Sequence, residues 1–234
     1  MIVAFEGMDG VGKSSVAQLF AKENNFRHES QKITTLLDVD ADTFKGFVKR
    51  IRTSRNKQLS AVFYIFRCML DNDEPDINTV VERTIASLYY FEKNNLSEDI
   101  WKHVVTLGTV PELIFVLYAS PQIRYKRIHN RDQNDADLHS TEALSDGYSD
   151  MIGFYKKYNI PYIGINTENT NLERVAEICS DIYSKYSKLG TTEDRIDFID
   201  KMNKIYGFDQ LYSQRTLVYK PEEKNGEVWK KNMI

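Results

Sequence analysis

Ile2-Val-Ala-Phe5 runs without a break into Glu6-Gly-Met-Asp-Gly-Val-Gly-Lys-Ser14, and few sequence features restrict a fold more tightly. The four apolar residues suit a strand buried on both faces. Residues 7–14 then satisfy G-x-x-x-x-G-K-[ST] in full. Glycines there let backbone N–H groups curl around a polyphosphate, with Lys13 reaching the β and γ phosphates and Ser14 placed for Mg2+. Past the loop, Val16, Leu19 and Phe20 share one helical face, so a helix points its positive N-terminus at the same anion. Strand, loop and helix in this order separate a phosphate site from a structural glycine turn. Gly7, Gly10, Val11, Gly12, Lys13, Ser14 and Ser15 are the expected phosphate-binding residues.

Composition sets the outer limits. With 234 residues, 41% of them hydrophobic, the chain can build one full core, with or without an appendage. A net charge of −3 gives no reason to expect nucleic acid or an anionic membrane as partner. Cys68 and Cys179 fit no metal spacing and read as reduced and buried, which suits a cytoplasmic protein. No apolar run approaches the ~18 residues of a membrane span, and the glycine loop begins too early for a signal peptide to precede it.

Along the rest of the chain, helical patterns are expected from Lys13 to about Lys22 and from Asp40 on, the latter with Phe44, Phe47, Val48 and Ile51 at helical spacing. Residues 58–71 carry apolar side chains almost all round and read as a central helix buried on several sides. Arg67 inside that run either pairs with an internal acid or lines a ligand pocket. Further helices are expected over 84–94, 97–107, from Pro121, over 141–158, over 171–186 and from Thr191 on. Strands fall at 26–29, 76–81, 111–118 and 161–165, and Asp132 to His139 reads as a polar loop. This alternation argues a three-layer α/β fold, a central parallel sheet of about five strands with helices on both faces. Ligands in such folds sit at the carboxyl ends of the strands, which would put the glycine loop, Glu82-Arg83 and the residues after Tyr118 on one rim. The expected division is a domain over 1–187 and an extension over 188–234. The extension would carry a stripe of Ile196, Ile199, Met202 and Ile205/Tyr206, a surface that could support a homodimer.

Phe5-Glu-Gly-Met-Asp-Gly-Val-Gly-Lys-Ser-Ser15 resembles the opening of thymidylate kinases, F-E-G-x-D-G-x-G-K-[ST]. Phe63-x-x-x-Arg67 is similar to the family's F-x-x-x-R, Glu82-Arg83-Thr84-Ile-Ala-Ser87 to its D-R-[YH]-x-x-S, and Arg127-x-x-x-Arg131 to its lid, here about 122–140. The resemblance covers roughly residues 1–186 and implies a P-loop nucleoside monophosphate kinase using ATP and Mg2+, with dTMP as the first acceptor. It also implies roles. Asp9 would hold the sugar 3′-hydroxyl, Phe63 would stack on the acceptor base and Arg67 would hydrogen-bond it. Arg83, helped by Arg50 or Arg52 and followed by Ser87, would position the acceptor phosphate. Glu82 would join Ser14 at the metal, and Arg127 and Arg131 would shield the transferring group. Two departures stand out. His28-Glu-Ser-Gln31 replaces R-E-P-G, and Glu82 replaces the aspartate of D-R-[YH]. The first keeps only the acid, and the second is closer to deoxynucleoside kinases, in which an acid at the end of the second strand, here Glu29, would serve as base for a 5′-hydroxyl. A nucleotide-binding protein without turnover is the remaining alternative.

Overall fold

The computed structural model describes residues 1–29, 38–69, 76–108, 110–139, 145–206, 216–219 and 229–232. Its first strand, β1 (Ile2–Glu6), is buried throughout, and the expected loop and helix α1 (Lys13–Asn24) follow it. Asn25 ends α1 in the left-handed conformation, donating back to the Ala21 carbonyl. Then come β2 (Arg27–Glu29), α2 (Ala41–Arg52) and α3 (Lys57–Met69). Asp40 caps α2, its carboxylate accepting from the amides of Asp42 and Thr43. Next are β3 (Thr79–Glu82), α4 (Ile85–Glu92), α5 (Glu98–Leu107), β4 (Leu113–Tyr118) and α6 (Pro121–Arg131). A 3-10 turn at Ala136–His139, α7 (Tyr148–Lys157), β5 (Tyr162–Asn166), α8 (Leu172–Tyr186) and α9 (Thr192–Tyr206) complete the main body. Strands β6 (Thr216–Tyr219) and β7 (Trp229–Asn232) pair antiparallel with each other.

The sheet runs in the order β2-β3-β1-β4-β5 with every pair parallel. Alternation along β1 divides the core. Val3 and Phe5 pack with Val16, Phe20 and Val175 of α1 and α8, while Ile2 and Ala4 pack with Ile85, Trp101 and Met151 of α4, α5 and α7. The chain therefore leaves β1 toward one face and its neighbour β3 toward the other. That reversal opens a crevice at the carboxyl ends of these two strands, where such folds bind ligands.

Four expectations need correcting. Helix α3 is not buried on several sides: Leu59, Val62, Phe66 and Met69 form an exposed stripe, while Ser60, Ala61 and Phe63 are buried and Tyr64, Ile65 and Cys68, the last expected to be buried, pack on the core half-exposed. The helix expected to start at Thr141 starts at Tyr148, after Gly147, and residues 140–144 lie outside the described ones. The expected polar loop 132–139 holds the 3-10 turn, whose Leu138 is buried against Ile128 and Tyr125. On α9 the stripe is met in part: Ile199 is buried and Met202 and Tyr206 pack on the core beside buried Asn203, whereas Ile196 and Ile205 are exposed. Asn203 is held inward, since its amide accepts from Gly164 N at 3.0 Å and donates to Tyr162 O at 2.8 Å on the outer edge of β5. Among the described residues no helix is long and apolar enough to cross a membrane.

Candidate phosphate-binding site

The loop between β1 and α1 has a shape that side chains would spoil. Gly7 sits at φ 137°, and a Cβ there would lie 2.2 Å from the Leu117 carbonyl oxygen. Gly10, at φ 83°, would meet the Arg124 backbone at 2.7 Å. Helix α1 starts without a side-chain cap and without an acid in its first turn, which leaves its first amides to an anion. Buried Glu6 fixes the start of the loop, accepting from Gly7 N at 2.9 Å and from the amide and hydroxyl of Thr84 at 2.7 and 2.8 Å. The end of β1 is thereby tied to the start of α4.

At the crevice the charged residues converge. The Lys13 ammonium donates to the Met8 carbonyl at 3.0 Å and lies 3.6 Å from Asp9 Oδ1, which also accepts from Arg83. Burial, then the adjoining Arg83 charge, pulls Lys13 down to about 8. Burial alone would push Asp9 up, yet Arg83 and then Lys13 outweigh it and hold the carboxyl at about 2. Arg83 reaches this position from a left-handed backbone, φ 67°, rare for a non-glycine residue and concentrated at functional sites. Beside it Glu82 accepts from the Ser14 hydroxyl through Oε2 and from His28 Nε2, 2.9 Å away, through Oε1. Burial raises the Glu82 carboxyl, but these hydrogen bonds and the Lys13 charge bring it below its ordinary value.

The other expected residues are distributed differently. Arg127 donates to Thr167 Oγ1 at 3.0 Å, to the Thr167 carbonyl and to Val11 O at 3.4 Å, so it clamps the loop to the segment after β5. Arg131 pairs with Asp135 at the surface. Phe63 packs among Ile51, Phe44, Phe47 and Tyr64 between α2 and α3, and Ser87 donates to Thr84 O inside α4. Arg50 is exposed, and Arg67, half-buried, pairs with no described residue. Arg52 donates to the Tyr64 hydroxyl at 2.8 Å. None of Phe63, Arg67, Arg50 and Ser87 bonds to the Lys13–Asp9–Arg83 cluster. The backbone of Glu29 pairs opposite Val81, but its side chain lies outside the described residues, as do Ser30 and Gln31. From the segment expected to be a lid it is an acid that acts on the cluster: burial, then the charges of Asp9 and Asp135, raise Asp137, while Arg83 and Arg52 pull it down.

Two residues behind the loop escaped the sequence reading. Arg124 is fully buried, donating to Asp9 O at 3.4 Å and Ser145 O at 3.0 Å. Asp146, also buried, has no hydrogen-bond partner on either oxygen among the described residues, and burial pushes it up to about 7 against the pull of Arg124. The available signal was spacing, since Pro121, Arg124 and Ile128 share the inward face of α6. His28, which carried no ligand spacing, was missed as the partner of Glu82.

A glycine loop on a β2-β3-β1-β4-β5 parallel sheet, with an acid at the end of β3 bonded to the loop serine, defines a P-loop α/β protein of the nucleoside and nucleotide kinase fold. Within that class, the family model described as AAA domain matches residues 3–146, and the chain belongs to this family. Among solved structures it is similar to deoxyadenosine kinase from M. mycoides with bound dATP, at TM-score 0.54 and 15% identity over 79% of this chain and 100% of that one. It is similar, too, to thymidylate kinase from Ehrlichia chaffeensis, at TM-score 0.53 and 16% identity over 79% of this chain and 98% of that one. No curated protein sequence matches it.

Proposed function

We propose that the protein transfers the γ-phosphoryl group of ATP to a deoxynucleoside monophosphate, dTMP first among them. The observation that carries this reading is the joining of Lys13, Asp9 and Arg83 in one hydrogen-bonded and ion-paired group beside Ser14 and Glu82. Phosphoryl transfer asks a protein for alignment and charge neutralisation more than for covalent work. Loop amides and Lys13 hold the donor phosphates. Lys13 leaves the Met8 carbonyl for them, and the anion favours the charged ammonium that burial disfavours. Ser14 and Glu82 offer a hydroxyl and a carboxylate, the oxygen ligands Mg2+ takes alongside phosphate and water, so they fit that ion. When bound, Mg2+ neutralises charge on the donor phosphates. Arg83, with a planar fork that suits two phosphate oxygens, positions the acceptor, and Asp9 fixes the direction of that fork.

A second reading, a deoxynucleoside kinase, is favoured by one feature of the cluster. Arg83 is already engaged by Asp9, and Asp137 stands near both, which suits an uncharged 5′-hydroxyl better than a phosphate. ADP release measured with ATP and a panel containing dTMP, the other deoxynucleotides and the free deoxynucleosides decides. Turnover with dTMP supports the first reading, and turnover with nucleosides alone replaces it by the second. Nucleotide binding with no turnover overturns both.

A further inference from the structure

The Ser14–Glu82 pair has a third member. His28 lies opposite Val80 in the β2–β3 register, and Glu82 follows Val80 by two residues, so His28 and Glu82 project from the same face of the sheet. That face is covered by α1, whose first turn supplies Ser14. The three side chains meet there, His28 Nε2 against one Glu82 oxygen and Ser14 Oγ against the other. Both His28 and Glu82 are largely shielded, at 21% and 11% side-chain exposure, so water does little to loosen the contact.

We propose that His28 is a positioning residue for the metal-binding carboxylate. Its ring N–H holds Glu82 Oε1 and leaves Oε2 turned toward Ser14 and the divalent cation. This rests on the reading of Ser14 and Glu82 as the Mg2+ pair. A glutamate held at one oxygen only would keep freedom about its terminal torsions, and fixing those costs part of the binding energy each time a cation arrives. The imidazole removes that cost beforehand. Donation from Nε2 is available to the neutral Nε2–H tautomer and to the imidazolium alike, so the role needs no change of charge.

The test titrates Mn2+, as a paramagnetic stand-in for Mg2+, into the full chain with ADP and follows free Mn2+ by electron paramagnetic resonance. Nucleotide affinity in EDTA is measured in parallel. Loss of a group that orients a metal ligand costs about 10- to 100-fold in metal affinity, and H28A should weaken Mn2+ by that amount while metal-free ADP binding stays within about twofold. H28Q, whose side-chain amide nitrogen falls near the position of Nε2, should recover affinity to within about threefold of the native chain. H28A binding Mn2+ like the native chain, or H28Q as weak as H28A, overturns the proposal. Should H28A fail to fold by circular dichroism, H28N replaces it. Its shorter amide stops short of Glu82, and equal affinities for H28N and H28Q overturn the proposal as well. A native chain that captures no Mn2+ with ADP, and is unchanged by E82Q, sinks the Ser14–Glu82 reading itself, an outcome distinct from a silent H28A.

Discussion

Compare the β1–β3 side of the crevice with the α2–α3 side. On the first, Lys13, Asp9, Arg83, Ser14, Glu82 and His28 are each held by another member or by loop backbone, and Arg124 and Arg127 brace the loop from behind. On the second, Arg50 is exposed, Arg67 pairs with no described residue, and the apolar stripe of α3 faces outward. Groups proposed to grip a phosphate common to many substrates are fixed in advance by the protein. Of the groups expected to read a particular acceptor, Phe63 is packed in place, whereas Arg50 and Arg67 are left for that acceptor to organise.

That contrast can be broken most directly at Lys13. K13M should cut ADP release by about 1,000-fold, the scale of losing one preorganised cation at the transferring group, with circular dichroism unchanged. A drop of less than tenfold, on the order of one weak contact, would remove the donor-side assignment. Next in size, Gly7→Ala forces a Cβ onto the Leu117 carbonyl at an unfavourable φ, and urea unfolding should register about 2–4 kcal/mol of lost stability.

Asp146, behind the loop, predicts a pH effect of about 1–4 kcal/mol in total. Its folded value near 7 stands above the usual 3.8, so the folded state binds more protons between them. Stability from this group is therefore full below about pH 4, falls as pH rises toward 7 and levels above it. Asp146→Asn should flatten that slope in denaturation measured from pH 5 to 8. On the other side, Arg67→Ala should raise the acceptor KM by about tenfold, the worth of one charged hydrogen bond, without moving the melting temperature, as expected of a group that serves the ligand and not the fold. A clear fall in melting temperature would show Arg67 to be structural. Smallest of all, Arg50→Ala should change kcat and KM by less than about threefold, as expected of an exposed cation, and a larger loss would bring Arg50 into the site.

The legible parts of this chain were those fixed by local pattern. Continuous apolar runs marked β1 and β4, the glycine spacing marked the loop, and Asp40 and Pro121 marked the starts of α2 and α6. What escaped depends on which side of an element meets which neighbour. Arg124 and Arg127 belong to one basic run, and only the packing of α6 against the loop separates them. His28 gains meaning from a register between strands that lie about fifty residues apart in sequence, a non-local pairing that no short window contains. In α9 the apolar spacing pointed to one stripe, yet the polar Asn203 shares its buried side, because unpaired strand groups outweigh one more isoleucine.

That asparagine has a cost for anyone trimming the chain. Ending it before Thr192 would strip Asn203 from the outer edge of β5 and open the Gly164 amide and Tyr162 carbonyl there, a start for adding foreign strands. A truncated protein would then be expected to stick to itself well before its chemistry failed, and loss of solubility could be mistaken for loss of catalysis.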